Sequence, residues 1–179
     1  MQVFLKKHAP GVSVHGVKVS WTRAGSKVNI EFQVNKRTSA PWNSDGSFGE
    51  DYKANWGLWN HDVVEAFLQL RSHAEDVHAP YLEIQVSPLN QPFALLITEP
   101  RKTYFAPEKL VFKTTSNPEA RVWTGSMEVS LPEEFKGEHL YGGFFACLSK
   151  EPREFFALEP NPEDSPDFHR PELFLSLDM

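Results

Sequence analysis

A chain of 179 residues with 40% hydrophobic and 13% aromatic side chains has apolar material for one continuous core, and its length fits a single domain spanning residues 1–179. A formal net charge of −6, with acidic residues spread along the whole sequence, leaves no basic stripe to neutralise a phosphate backbone and excludes nucleic acid as the expected partner. The opening MQVFLKKHAPG lacks the apolar core of a secretory signal, and no stretch reaches the ~20 apolar residues of a membrane span. The expectation is a protein with no membrane partner, cytoplasmic as written, or secreted or periplasmic had a signal been trimmed.

Helical periodicity is almost absent, while short alternating or apolar runs rich in Val, Ile and Phe recur between Pro, Gly and Asn clusters. In chain order the predicted strands are Val12–Arg23, Lys27–Asn35, Asp62–Arg71, Tyr81–Ser87, Phe93–Thr98, Leu110–Thr114, Arg121–Ser130, Leu140–Leu148 and Glu154–Leu158. Nine strands at this spacing predict an all-β, two-sheet antiparallel β-sandwich of jelly-roll or immunoglobulin-like kind rather than a closed barrel. The Gly142–Gly143 pair, ahead of an apolar run, reads as a turn. The apolar stretch Leu173–Leu177 is expected to pair as a last strand, so the Pro-rich segment before it packs on the sandwich.

Alternation along two of these strands assigns their faces. In the first, Val64, Ala66, Leu68 and Leu70 form a core face. In the second, Leu82, Ile84 and Val86 do the same. If the two strands pair, the opposite face of one sheet collects Glu65, Gln69, Tyr81, Glu83 and Gln85, a row expected to be solvated. Glu65 and Glu83 could in principle serve as the carboxylate pair of a glycosidase, but acidic residues on a sheet face are commonplace, and a non-catalytic role is the expectation.

Residues 35–60 form a long connection holding Trp42, Trp56 and Trp59, three of the five tryptophans, which predicts a loop folded onto something rather than a disordered one. An indole can stack on the apolar face of a pyranose while carboxylates and amides bind its hydroxyls, so Trp59 beside the Glu65 row suggests a sugar. The alternative is that these tryptophans plug the end of the sandwich. Trp21 and Trp123, inside strand patterns, read as core. Within the same loop Asn43, Asp45, Ser47, Glu50 and Asp51 are candidate Ca²⁺ ligands, although the stretch does not match an EF-hand. No helical pair of histidines suggests a transition metal, and the single Cys147, in an apolar run, reads as a buried inert thiol.

The runs LWNHDVVEAFLQL, YLEIQVSPLNQ, EVSLPEEF and EFFALEPNPEDSPDFHRPELF, in that order, resemble the family 9 carbohydrate-binding modules and their DOMON-like relatives over roughly residues 10–177. The Trp-x-x-Asp-x-x-Glu-x-Phe block is the most specific part. The resemblance implies a carbohydrate partner, contacts from Trp59 and Glu65, supporting contacts from Gln85 and Ser87, and a structural calcium; Trp56, from the same tryptophan-bearing loop, is a further candidate ligand contact. It also implies a second aromatic wall late in the chain, where this sequence has Leu158, with Phe156 or Phe168 nearby to substitute. His169 is expected to fix the C-terminal segment. Two other readings accompany it: a haem-binding electron-transfer domain, with Met127 and a histidine as imagined ligands, and a protein-interaction module that binds no sugar. Which sugar is bound, and the oligomeric state, are left open.

Overall fold

The fold is described from a computed structural model. It covers residues 2–178 except 9–12, 14, 134, 136 and 164. Their regular secondary structure is β, apart from two short 3₁₀ turns. In chain order the strands are β1 (Gln2–Phe4), β2 (Lys6–Lys7), β3 (His15–Ala24), β4 (Lys27–Lys36), β5 (Val63–Arg71), β6 (Tyr81–Val86), β7 (Pro92–Glu99), β8 (Thr103–Phe105), β9 (Phe112–Pro118), β10 (Val122–Ser130), β11 (His139–Leu148), β12 (Glu154–Ala157) and β13 (Leu175–Ser176). The first predicted strand began at Val12, and Val12 and Val14 lie outside the described residues.

The strands form two antiparallel sheets, as the alternation predicts. One has the order β1-β3-β4-β10-β9, and the other β2-β12-β11-β5-β6-β7-β8, with β13 also pairing β11. Between them lies the main core. Val28, Ile30, Phe32 and Val34 point inward from β4, and Val64, Ala66, Leu68, Leu82, Ile84 and Val86 meet them from β5 and β6, all buried. Burying each such side chain contributes about 1.5–3 kcal/mol relative to leaving it exposed. Trp21 and Trp123 belong to this core, as their strand positions predict. The Trp21 ring spans the two sheets to Phe144, with centroids 5.0 Å apart, and its indole N–H donates to the Leu177 carbonyl at 2.9 Å.

The glycine pair is not a turn. Gly142 and Gly143 both lie within β11, in register with Leu68 and Phe67 of β5. A Cβ on Gly142 would stand 2.3 Å from the Phe67 carbonyl oxygen, and one on Gly143 would stand 2.5 Å from the Phe145 ring. The strand needs glycine here because neighbouring groups occupy the side-chain space. At the other end of the chain, Leu175 and Ser176 pair with Gly142 and Tyr141, so the C-terminal segment docks as predicted.

The larger sheet has a second apolar layer on its outer face. Phe67, Tyr81, Phe93, Leu95, Ile97 and Phe145 are buried there beneath Leu58 and Phe174, with Phe48, Trp59, Phe155 and Phe168 packed against them. Residues 37–62 and the described residues of 159–174 form this cover, which makes a sheet face that would otherwise be wet into an interior.

Candidate functional site

The pairing of β5 with β6 sets the floor of the site. Glu65 stands opposite Gln85, and Phe67 opposite Glu83, so the two carboxylates sit diagonally on one face, with Gln69 opposite Tyr81 further along. The shared face is as predicted, but its environment is not. Glu65 is 3% exposed and Glu83 4%, and Gln69, Tyr81 and Gln85 are also buried, because the two covering segments exclude water from them.

The row divides into two halves. At one end every polar group has a fixed partner. Gln69 donates to the carbonyls of Val77 and Ala79 and accepts from Arg71 at 2.7 Å, while Arg71 also donates to the Pro171 carbonyl at 2.6 Å and lies over the Tyr141 ring. This half clamps the C-terminal segment. At the other end, Glu65, Glu83 and Gln85 form the floor of a cavity of about 620 Å³, within the usual ~300–1,000 Å³ of small-molecule sites.

Aromatic rings wall that cavity on two sides. On one, the Trp59 and Trp56 rings meet edge to face at 4.9 Å, and Trp56, 54% exposed at the mouth, stacks on Tyr104 at 5.6 Å and 22°. On the other stand Phe155 and Phe168, the latter stacked on Phe145 at 4.4 Å and 20°. The second aromatic wall is thus carried by Phe168 and Phe155. Leu158 and Phe156 face the inter-sheet core instead. Phe155 and Phe156 are consecutive in a strand and must point to opposite faces, so one of them had to leave the core.

The Trp-x-x-Asp-x-x-Glu block acts as a positioning unit. Gly57 adopts φ 92°, a left-handed conformation that favours glycine, and turns the chain between Trp56 and the 3₁₀ turn Leu58–Asn60 that presents Trp59. Asp62 then locks the turn: one carboxylate oxygen accepts the Asn43 N–H at 2.8 Å and the other the Ser149 N–H at 2.6 Å. Arg153 completes the lock by donating to the carbonyls of Trp59 and His61, each at 2.6 Å, and of Ser149 at 2.7 Å. Arg153, Arg101 and Tyr104 line the cavity without any local sequence signal, since the two arginines arrive on connections and Tyr104 on the three-residue edge strand β8, whose courses depend on the fold.

The other predicted residues go elsewhere. Ser87 is buried at the β6–β7 hairpin and donates to Gln91 Oε1 at 2.7 Å; Gln91 in turn donates to the carbonyls of Asp45 and Phe48. Its role is to anchor the tryptophan-bearing connection. Trp42 packs against the inter-sheet core with Lys36 3.8 Å from its ring centroid, so it plugs the sandwich while Trp56 and Trp59 do not. In the acidic loop, the carboxylates of Asp45 and Asp51 accept backbone N–H groups of Ser47 and Lys53. No group of three or more His, Cys, Asp or Glu able to hold a metal occurs among the described residues. Met127 is buried in the inter-sheet core.

Electrostatics follow from burial. Desolvation pushes both Glu65 and Glu83 well above the ordinary carboxylate range, and for Glu65 repulsion from Glu83 adds to it. Burial likewise raises the Cys147 thiol, which donates to Glu65 Oε1 at 3.6 Å, as suits an unreactive thiol. His169 is lowered to about 4 by burial and by the Arg101 cation, and its neutral ring is hydrogen-bonded through Nδ1 to the Tyr81 hydroxyl, 2.8 Å away. It therefore ties the C-terminal segment to β6 and also lines the cavity.

Two solved structures share this architecture. A family 9 carbohydrate-binding module from Caldicellulosiruptor kristjanssonii in complex with glucose superposes with a TM-score of 0.57 at 14% identity, covering 96% of this chain and 82% of that one. The same kind of module in complex with cellotriose gives 0.58 at 15% identity, with 95% and 80% covered. These likenesses establish the fold. No protein-family model matches the chain. In sequence it is 30% identical over 151 residues to the UPF0462 protein C4orf33 homolog of Mus musculus, covering 79% of this chain and 74% of that protein. For the Rattus norvegicus homolog the values are 34% over 146 residues, 76% and 69%, and for the Homo sapiens protein 31% over 151 residues, 79% and 71%. On this identity and coverage, the chain belongs to the UPF0462 family.

Proposed function

We propose that the covered cavity on the larger sheet is a non-catalytic carbohydrate-binding site. The observation that carries this reading is the meeting of Trp59 and Glu65 in one cavity, with aromatic walls on two sides and polar groups on the floor. Such a cavity suits a molecule with apolar faces and a polar rim, which describes a pyranose. Support comes from the shared fold with carbohydrate-binding modules solved with glucose and with cellotriose.

A stacking platform and a buried acceptor contribute differently. Trp59→Ala removes the platform, whereas Glu65→Gln keeps the shape but replaces a carboxyl oxygen with an amide donor, which leaves a bound hydroxyl unpaired at a cost of up to about 3 kcal/mol, or roughly a hundredfold in affinity. The test is a glycan-array screen followed by calorimetric titration of the best hit into both variants, with melting curves to establish folding. Both variants are expected to stay folded and bind at least about tenfold more weakly. Wild-type affinity in both would place the ligand elsewhere. Absence of any array hit, with association of the protein through the exposed Trp56 and Tyr104, would favour a protein-interaction module.

A further inference from the structure

Apart from the proton that its carboxyls retain, the floor of the cavity is rich in acceptors and poor in donors. Gln85 donates through Nε2 to Glu83 Oε1 at 2.6 Å, which commits its N–H side, and its own Oε1 is buried with no hydrogen-bond partner. Glu65 accepts only the weak Cys147 thiol among the described residues. The cations nearby have other hydrogen-bond partners, although Arg153 also acts electrostatically on Glu65. Arg153, from the β11–β12 connection, donates to three backbone carbonyls, and Arg101, from the β7–β8 hairpin, pairs with Asp167 of the C-terminal segment. His169 has its Nδ1 on the Tyr81 hydroxyl and its Nε2 3.9 Å from Glu83 Oε2, beyond hydrogen-bond reach.

Three buried acceptors on one floor call for a group with several donors and a positive charge. An ammonium offers three N–H donors, and aromatic faces such as those of Trp59 and Phe168 favour a cation beside them. Resting on the carbohydrate reading of this cavity, we propose that its ligand is an amino sugar, with its ammonium on Glu65, Glu83 and Gln85 and its ring against Trp59.

A proton balance follows. Two adjacent desolvated carboxylates retain a proton that isolated ones would release, as the upward displacement of both groups indicates. When an ammonium arrives, its charge replaces that proton, which leaves to solvent. No bond in the ligand is broken. A neutral sugar would leave the proton in place.

The experiment is calorimetric titration of the full chain with glucosamine, glucose and N-acetylglucosamine near pH 6.5, where the amine is protonated, in two buffers of different ionisation enthalpy. Glucosamine is expected to bind at least about tenfold more tightly than either neutral sugar, with a buffer-dependent heat that shows proton release. Glu83→Gln, checked for folding by its melting curve, is expected to lose both the preference and the proton release. Equal or tighter binding of glucose, abolished by Trp59→Ala, would overturn the amine and leave the carbohydrate site standing. Tighter glucosamine binding without proton release would overturn the placement of the ammonium on the carboxylate pair. Failure of all three sugars to bind would overturn the inference, while the carbohydrate reading would then rest on the array screen alone.

Discussion

On the five-stranded sheet the outward side chains Lys18, Ser20, Glu31, Gln33, Thr124 and Ser126 line an open polar groove, with Ser126 bonded across to Thr115 at 2.9 Å. On the larger sheet the outward side chains Glu65, Glu83 and Gln85 alternate with core residues in the same way, yet lie beneath two covering segments. Strand alternation is identical in the two cases. What differs is the connection: short turns join β3 to β4 and β9 to β10, whereas residues 37–62 and the C-terminal segment carry tryptophan and phenylalanine back across β5, β6 and β11. A polar row under such a cover loses water, and its unpaired acceptors line a covered cavity instead of a solvated surface.

That contrast can be broken most severely from the core beneath both faces. Trp123→Ala removes a fully buried ring that packs edge to face on Phe32 and donates to Ser116, and it is expected to cost about 3–5 kcal/mol in denaturant unfolding. A loss under about 1 kcal/mol would mean that Trp123 is not a core member of the sandwich.

An intermediate effect sharpens the covered face through pH. Burial, and for Glu65 the neighbouring Glu83, raise both carboxyls above their ordinary value of 4.5, so from that pH upward the folded state holds more protons than the unfolded one. Stability should therefore fall as pH rises towards and through neutrality, by up to about 1.4 kcal/mol per pH unit for each extra proton held. His169 tilts the curve the other way below its ordinary 6.5, because at about 4 in the folded protein it binds fewer protons than when unfolded. Above 6.5 the carboxyl slope stands without that opposition. Urea midpoints measured from pH 6.5 to 8 should decline in the wild type and less steeply in Glu65→Gln, where Glu83 alone remains; equal slopes would show that Glu65 is not protonated in the fold.

The smallest expected effect comes from the open face. Gln33→Ala, on the exposed groove, should change stability by no more than about 0.5 kcal/mol and leave ligand affinity unaltered. A tenfold loss of affinity in the same titration would move the binding site to the five-stranded sheet.

Much of this architecture is legible in the sequence because a strand's period of two requires no knowledge of its neighbours. It placed Val64, Ala66 and Leu68 in the core, put Glu65, Glu83 and Gln85 on one face, and assigned Trp21 and Trp123 to the interior. Short edge strands such as β1, β2 and β8 are too brief to show a period. Ser87 follows the same alternation as Gln85 but stands where the strand enters its hairpin, so it bonds Gln91 rather than facing the cavity.

The sequence by itself determined the sandwich, its inward residues and the Trp59–Glu65 pairing, since all three rest on local alternation and on one short block whose turn and strand are contiguous. Only the tertiary structure decided that the polar row is buried, that Trp42 plugs the core while Trp56 stands at the mouth, and that Phe155 and Phe168 form the facing wall. It also brought Arg153 from 94 residues away to hold the Trp59 carbonyl. Those features depend on where long connections return across the sheet, which is set by the sum of many weak contacts between distant segments rather than by any local preference.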